Sequence, residues 1–416
     1  MLKTLCPCSF QRYSSLSILG PIVDGFSAWL VEQRYNHSYL RFRICLLPYI
    51  EAVLIRRGIR HISKIDKADW AACRKSLLGR FPNQSGTTHA LERYLHAQGL
   101  LKQKPELVST TARYLAAYAH YLKTVRGASA STIRQKSCTA AEFLAYVKID
   151  KYAGRLKTLT FKELEAFVKL ISVHFTRTGL RHIVAKLRCF LRFLAVQGEV
   201  PQGLDHQIDS PRVYREEHLP STLPWETVQA FLDSIDQSSA VGLRDFTMFF
   251  LMAVYGLRAS DVIALSLDNI HWRAGKISIT QKKTGVVLEL PLTDAVGTTL
   301  HRYLKKLAPP SPFRQLFLRM KAPLGTLQIA AVSTRFQFWA RRSGLEIPGK
   351  GSCHRIRHSY AVFLLRKNTP IKAISDILGH RTLESTWTYL RLAIEDLRDV
   401  ALPVPTEPKN QKAVRA

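Results

Sequence analysis

Acidic residues are scarce in this chain: 31 Asp and Glu stand against 61 Lys and Arg over 416 residues, a formal net charge of +30. The excess is spread over the whole length, with a pI near 10.1. Such a surface expects a polyanionic partner, nucleic acid first. Paired cysteine spacing is missing too. The seven cysteines (Cys6, Cys8, Cys45, Cys73, Cys138, Cys189 and Cys353) are odd in number and contain no CxxC. That excludes a disulfide framework and fits a reducing compartment. Cys6-Pro7-Cys8 is too short a motif to imply a metal. No run reaches the ~20 apolar residues of a membrane span. The longest, Phe246 to Leu257, is interrupted and of core-helix length, and Met1 to Ser15 lacks a signal-peptide core. The chain is expected to be cytoplasmic.

What is present is ample apolar material, 46% of residues, enough for two or three packed domains. Helical spacing dominates to about residue 200. Residues 1–105 hold three helical candidates and a dense set of basic residues, among them Arg34, Arg41, Arg43, Arg56, Arg57, Arg60 and Arg74. Residues 106–200 form a second helical block. In it Tyr114, Tyr118 and Leu122 line one face, and Thr160 and Glu163 carry the spacing of a capping box. Residues 201–220 are polar and Pro-containing and read as a linker. From 221 the pattern mixes helix and strand. A buried helix ends at Gly256, Ser260 is expected to cap a helix through Leu265, and Lys276–Thr280 and Val287–Leu290 alternate as two strands around Lys282-Lys283-Thr284-Gly285. Residues 403–416 read as a mobile tail. The fold class expected is mainly α with a small β component.

The last third concentrates residue types that act on phosphate. It reads Cys353-His354-Arg355-Ile356-Arg357-His358, then Leu378-Gly379-His380, then Tyr389. His354 and Arg357 stand at i and i+3, on one helical face. Gly379 can end a helix and turn His380 back toward them. Tyr389 follows nine positions later, about two and a half turns along a further helix. Arginine offers a rigid fork of donors to phosphate oxygens. Histidine carries a proton near neutral pH. A tyrosine hydroxyl becomes a nucleophile where its oxyanion is stabilised. His354 and His358 at i, i+4 could instead form a two-histidine metal face, but no third ligand is evident and Arg357 between them opposes a cation.

His-x-x-Arg-His, Leu-Gly-His and the following tyrosine, in that order, resemble the C-terminal signature of the tyrosine recombinase (phage integrase) family. The likeness covers about residues 221–400, and Gly256-Leu257-Arg258-Ala259-Ser260-Asp261 resembles a further family motif. The resemblance implies helical DNA-clamp domains followed by a mixed α/β catalytic domain at 221–402. It implies Arg258, Lys283, His354, Arg357 and His380 as catalytic residues, Tyr389 as nucleophile, and Asp261 and His358 in support. Asp261 stands where many members have Glu. Lys282 is the alternative to Lys283. The block at 106–200 resembles the family's core-binding domain, which points to Arg126, Arg134, Arg181, Lys186 and Arg188 as DNA contacts. The activity implied is DNA cutting and rejoining through a 3′-phosphotyrosyl link, with no metal and no cofactor. The partners implied are double-stranded DNA, a homo-tetramer exchanging C-terminal segments (Leu392 to Leu402), and sister recombinases of one mobile element, at a bacterial nucleoid. A non-catalytic DNA-binding relative and a type IB topoisomerase are the competing readings.

Overall fold

The computed structural model describes residues 2–5, 7–81, 86–101, 109–152, 154–214, 221–306, 313–320, 322–347 and 352–390. The chain divides into two compact units, Met1–Gln98 with His218–Ala416, and Gly99–Glu217. It is mainly helical with one small sheet, as the periodicity predicts.

The first 98 residues are built on five principal helices: α1 (Gly20–Glu32), α2 (His37–Cys45), α3 (Leu47–Arg56), α4 (Lys67–Arg80) and α5 (Gly86–Ala97). Buried polar groups fix their ends. Glu51 is 4% exposed, yet its carboxylate accepts the N–H groups of Ser17, Ile18 and Leu19 ahead of α1. Those donors have no partner within the helix, and a carboxylate there also meets the positive end of the helix dipole. α4 starts in a capping box between Asp66 and Asp69.

The second unit packs α6 (Thr110–Thr124), α7 (Ala130–Tyr146), α8 (Phe161–Ser172) and α9 (Arg177–Val196) around Tyr118, Phe143, Phe167 and Phe190. Phe143 meets Phe167 edge-on with ring centroids 5.3 Å apart, and Tyr118 meets Phe190 at 4.9 Å. Pairs of this geometry add to the burial of their rings. The capping box of Thr160 and Glu163 is formed. Ser129 caps α7 by accepting the N–H of Thr132.

From residue 221 the order is α10 (Trp225–Asp233), α11 (Ala240–Tyr255), α12 (Ala259–Val262), β1 (Ile270–His271), β2 (Lys276–Thr280), β3 (Val287–Pro291), α13 (Asp294–Lys306), α14 (Ile329–Arg342), α15 (His354–Arg366), α16 (Ile371–Leu378) and α17 (Glu384–Trp387). The three strands form one antiparallel sheet in chain order, with Ile277 opposite Leu290 and Ile279 opposite Leu288. Phe231, Phe249 and Phe336 centre the core. Within it Asp245, fully buried, accepts bonds from Arg244, Arg335 and Trp339. The carboxylate is tolerable there because four N–H donors from these three side chains replace its water.

Two local expectations are corrected. Ser260 does not cap a helix. The residue at the N-cap of α12 is Arg258, and the Ser260 hydroxyl turns to Asp261 Oδ1 at 3.2 Å. The helix before Tyr389 is one turn, α17, so Tyr389 lies just past a short helix rather than along a long one.

Candidate active site

Two helices end where the site begins. α11 closes on Gly256 and α16 on Gly379, both left-handed with φ of +62°. A side chain is strained in that region. A Cβ at Gly256 would also stand 2.6 Å from Tyr360 and 2.7 Å from Leu378. These endings leave two carbonyls to a single guanidinium. Arg357, on α15 and 3% exposed, donates from Nη1 to Gly256 O at 2.7 Å and from Nη2 to Leu378 O at 2.8 Å. Burial, then the charge of Arg258, lowers its pKa to about 10. It remains a cation at neutral pH.

Arg258 follows two residues after Gly256. Its Nη1 lies 2.6 Å from Gln281 Oε1 and 3.7 Å from Asp261 Oδ2. Asp261 is fully buried, and its Oδ1 accepts the backbone N–H of Lys282 at 3.1 Å. The carboxylate therefore both faces Arg258 and pins the start of the β2–β3 turn. Lys282 and Lys283 are exposed on that turn. Of the two, Lys283 is the one whose charge depresses His354 and His380.

The histidines separate by position. His354 opens α15 and is exposed. Its pKa is held down by partial desolvation and then by Arg357, Arg258 and Lys283. His358, one turn on, is the ring set against the tyrosine: its Nδ1 lies 2.9 Å from Tyr389 Oη. His380 Nδ1 pairs with Thr386 Oγ1 at 2.7 Å. His358 and His380 are both pushed down to about 4, by burial first and by neighbouring positive groups second. Both rings are uncharged at neutral pH. Tyr389 is 4% exposed, and burial raises its pKa while Arg357 and Arg258 pull it back down. The site thus presents a neutral phenol, an uncharged imidazole within hydrogen-bond reach, and two arginines whose charge favours an oxyanion.

The structure brings Arg258, Asp261, Arg357, His358 and Tyr389 into one interacting set, with His354, His380 and Lys283 around it. The expected DNA contacts of the second unit are less uniform. Arg126, Arg134 and Arg181 are exposed and Lys186 is half-buried. Arg188 turns its fork to Ile208 O instead of to solvent. Leu392 to Leu402 lies outside the described residues.

Three residues that sequence reasoning passed over belong to the site: Gln281, Arg381 and Thr386. Gln281 is fully buried. Arg381 Nε donates to Thr284 O at 2.9 Å, fastening the turn from the other side. Alternation along β2 gave a signal for Gln281. Ile277 and Ile279 face inward, so the next inward position carries a polar residue where a hydrophobe is expected.

A helical fold with paired arginines and a tyrosine at an imidazole is an arrangement suited to chemistry on a phosphate ester. Comparison with known proteins narrows it. Residues 222–395 match the phage integrase family. An integrase/recombinase of Sinorhizobium fredii, y4rF, is 30% identical over 341 residues, covering 79% of this chain and 80% of that protein. Tyrosine recombinase XerD of Listeria monocytogenes is 28% identical over 294 residues, covering 68% of this chain and 95% of its own length. The fold is shared with a lambda integrase dimer bound to a COC′ core site, at a TM-score of 0.53 and 17% identity over 73% of this chain and 85% of that one. It is shared also with XerH bound to its difH substrate, at 0.54 and 17% over 72% and 88%. The chain belongs to the phage integrase family of tyrosine recombinases.

Proposed function

We propose that this chain is a site-specific DNA recombinase or integrase that cuts and rejoins strands through a 3′-phosphotyrosyl intermediate and a Holliday junction, moving a mobile element by integration, excision or transposition. The observation that carries the reading is the 2.9 Å pairing of Tyr389 Oη with His358 Nδ1, beside two arginines that favour the phenolate. In the reaction, Tyr389 Oη attacks the scissile phosphorus and its proton passes to imidazole. His354 is the acceptor expected from the family pattern; the 2.9 Å approach to Tyr389 Oη supports His358 in that role, with its own proton on Nε2 before the transfer. Arg258 and Arg357 neutralise the charge that grows on the non-bridging oxygens, an electrostatic contribution that is often the largest in such catalysis. The 5′-oxygen leaves with a proton from Lys283. His380 holds its place through Thr386 and faces the same charge. The phosphotyrosyl bond conserves the energy of the broken ester, so rejoining needs no nucleotide.

The domain roles follow the same reading. Residues 221–402 carry the chemistry, 106–200 the core-site clamp, 201–220 the connection, and 1–105 an additional DNA contact. The assembly on DNA is a homo-tetramer that exchanges C-terminal segments, with sister recombinases of the element as further partners. Among the described residues no helix is long and apolar enough to cross a membrane.

The test is covalent trapping. The protein is incubated with nicked duplexes from candidate element ends, with EDTA present, and resolved on a denaturing gel. The expected result is a protein–DNA adduct that Tyr389→Phe abolishes. An adduct that survives this change moves the nucleophile elsewhere. Tight binding without an adduct favours an architectural role.

A further inference from the structure

One side chain joins the parts of the site that the chain sequence keeps far apart. Gln281 is fully buried at the end of β2. Its Oε1 accepts Arg258 Nη1 at 2.6 Å and Thr284 Oγ1 at 2.7 Å. Its Nε2 donates to Leu378 O at 2.9 Å, the same carbonyl that receives Arg357 Nη2. Its backbone closes the turn, with its N–H bonded to Val286 O and its carbonyl accepting from Gly285. The glycine that ends α16 leaves room for it: a Cβ at Gly379 would stand 2.6 to 2.7 Å from the Gln281 amide.

We infer that Gln281 is a positioning residue for the reaction: its amide fixes Arg258, shares an acceptor with Arg357, and docks the Lys282–Lys283 turn onto the end of α16. The inference rests on the catalytic reading above and extends it. The geometry explains why an amide stands here. A carboxylate would accept from Arg258 but oppose the Leu378 carbonyl. A lysine would donate to that carbonyl but repel Arg258. Only a group that accepts on one side and donates on the other serves both. Arg258 needs such a hold because Asp261 approaches no closer than 3.7 Å. With Gln281 in place the guanidinium is oriented before DNA arrives, and preorganised charge is what lowers a barrier at a phosphate. The turn that carries Lys283 is held by the same side chain, so its docking and the orientation of Arg258 stand or fall together.

The experiment compares the full-length wild type with Gln281→Leu and Gln281→Glu. Leu keeps the volume without the bonds, and Glu keeps the acceptor without the donor. Single-turnover cleavage is read at saturating DNA, separating the rate constant from the fraction of protein that reacts. For Gln281→Leu the rate constant is expected to fall about 10- to 100-fold, the loss of a hydrogen bond to a charged group, with DNA affinity within twofold. Gln281→Glu is expected to fall between Leu and wild type. A loss confined to the reacting fraction would mean misfolding alone and would overturn the inference. On DNA with a neutral methylphosphonate at the scissile position, which has less charge for Arg258 to neutralise, the gap between Leu and wild type is expected to close. A gap that persists overturns the route through Arg258. Amide exchange over residues 282–286 without DNA supplies a readout independent of cleavage. About tenfold faster exchange in Gln281→Leu is expected, and unchanged exchange overturns the docking. If the wild type itself fails to cleave, the catalytic reading falls while the exchange result still decides the docking.

Discussion

Replacing Gly379 by alanine tests how closely the end of α16 and Gln281 are fitted. The φ of +62° costs an L-residue about 1 to 2 kcal/mol. The new Cβ meets three atoms of the Gln281 amide at 2.6 to 2.7 Å, so the amide has to move. It is fully buried and bonded to Arg258, Thr284 and Leu378. Displacing it gives up a bond to a charged group, about 1.5 to 3 kcal/mol, and a neutral one of about 1 kcal/mol. The expected cost is about 4 to 6 kcal/mol in the local stability of this corner. It is measured by native-state exchange of the Gly379 and His380 amides, which bond to Asp376 O and Ser375 O. The same change in a Gln281→Ala background is expected to cost only the backbone strain, about 1 to 2 kcal/mol, because the obstructing amide is gone. An equal cost in both backgrounds would refute the idea that glycine stands here to admit Gln281. A cost below about 1 kcal/mol in the wild-type background would refute the strain as well.

Further outcomes follow from the same geometry. His358→Leu removes the imidazole facing Tyr389, and cleavage is expected to slow by about 10²- to 10⁴-fold, the usual worth of a placed base; a rate within threefold of wild type would return that role to His354. Lys283→Ala is expected to slow cleavage of an ordinary phosphodiester and to recover on DNA with a 5′-bridging sulfur, whose thiolate leaves without a proton, whereas Lys282→Ala is expected to leave the rate nearly unchanged. The two rings held near 4 are neutral when folded and titrate near 6.5 when unfolded. Their contribution is therefore complete above pH 6.5 and lost as the pH falls toward 4. Denaturation midpoints are expected to drop across that window, and to drop less in His358→Leu. Asp245→Ala strands two guanidinium groups and an indole N–H, and is expected to destabilise the catalytic core by about 3 to 5 kcal/mol in urea unfolding.

The legible parts of this molecule are those set by short-range rules. The hairpin reads from alternation because β2 and β3 have one buried face, and Gly285 supplies the left-handed residue its turn needs. α16 and its end read from an apolar run closed by Gly379. The six residues implied as catalytic by family resemblance, with Asp261 and His358 in support, cluster in one region. What escaped depends on which partner a side chain takes, near or far. Ser260 has the composition of a cap, but Asp261 next to it takes its hydroxyl. His358 and Tyr389 stand 31 residues apart, and helical spacing says nothing about which of two histidines one turn apart will face a distant ring. α17 is one turn long, and its Thr386 hydroxyl pairs with His380 Nδ1, a contact that helical spacing alone does not announce.

The cradle of Arg357 has a last consequence. Its two fixed partners are carbonyl oxygens, which orient a cation without cancelling it. A carboxylate in that place would have formed a finished ion pair, indifferent to anything arriving later. As built, the charge of Arg258 works against that of Arg357 in the resting protein, and an incoming phosphate would relieve that repulsion. On the proposed reading, part of the grip on a phosphodiester would then come from the release of internal stress. Inorganic phosphate or sulfate alone should stiffen this corner of the free protein before any DNA is added.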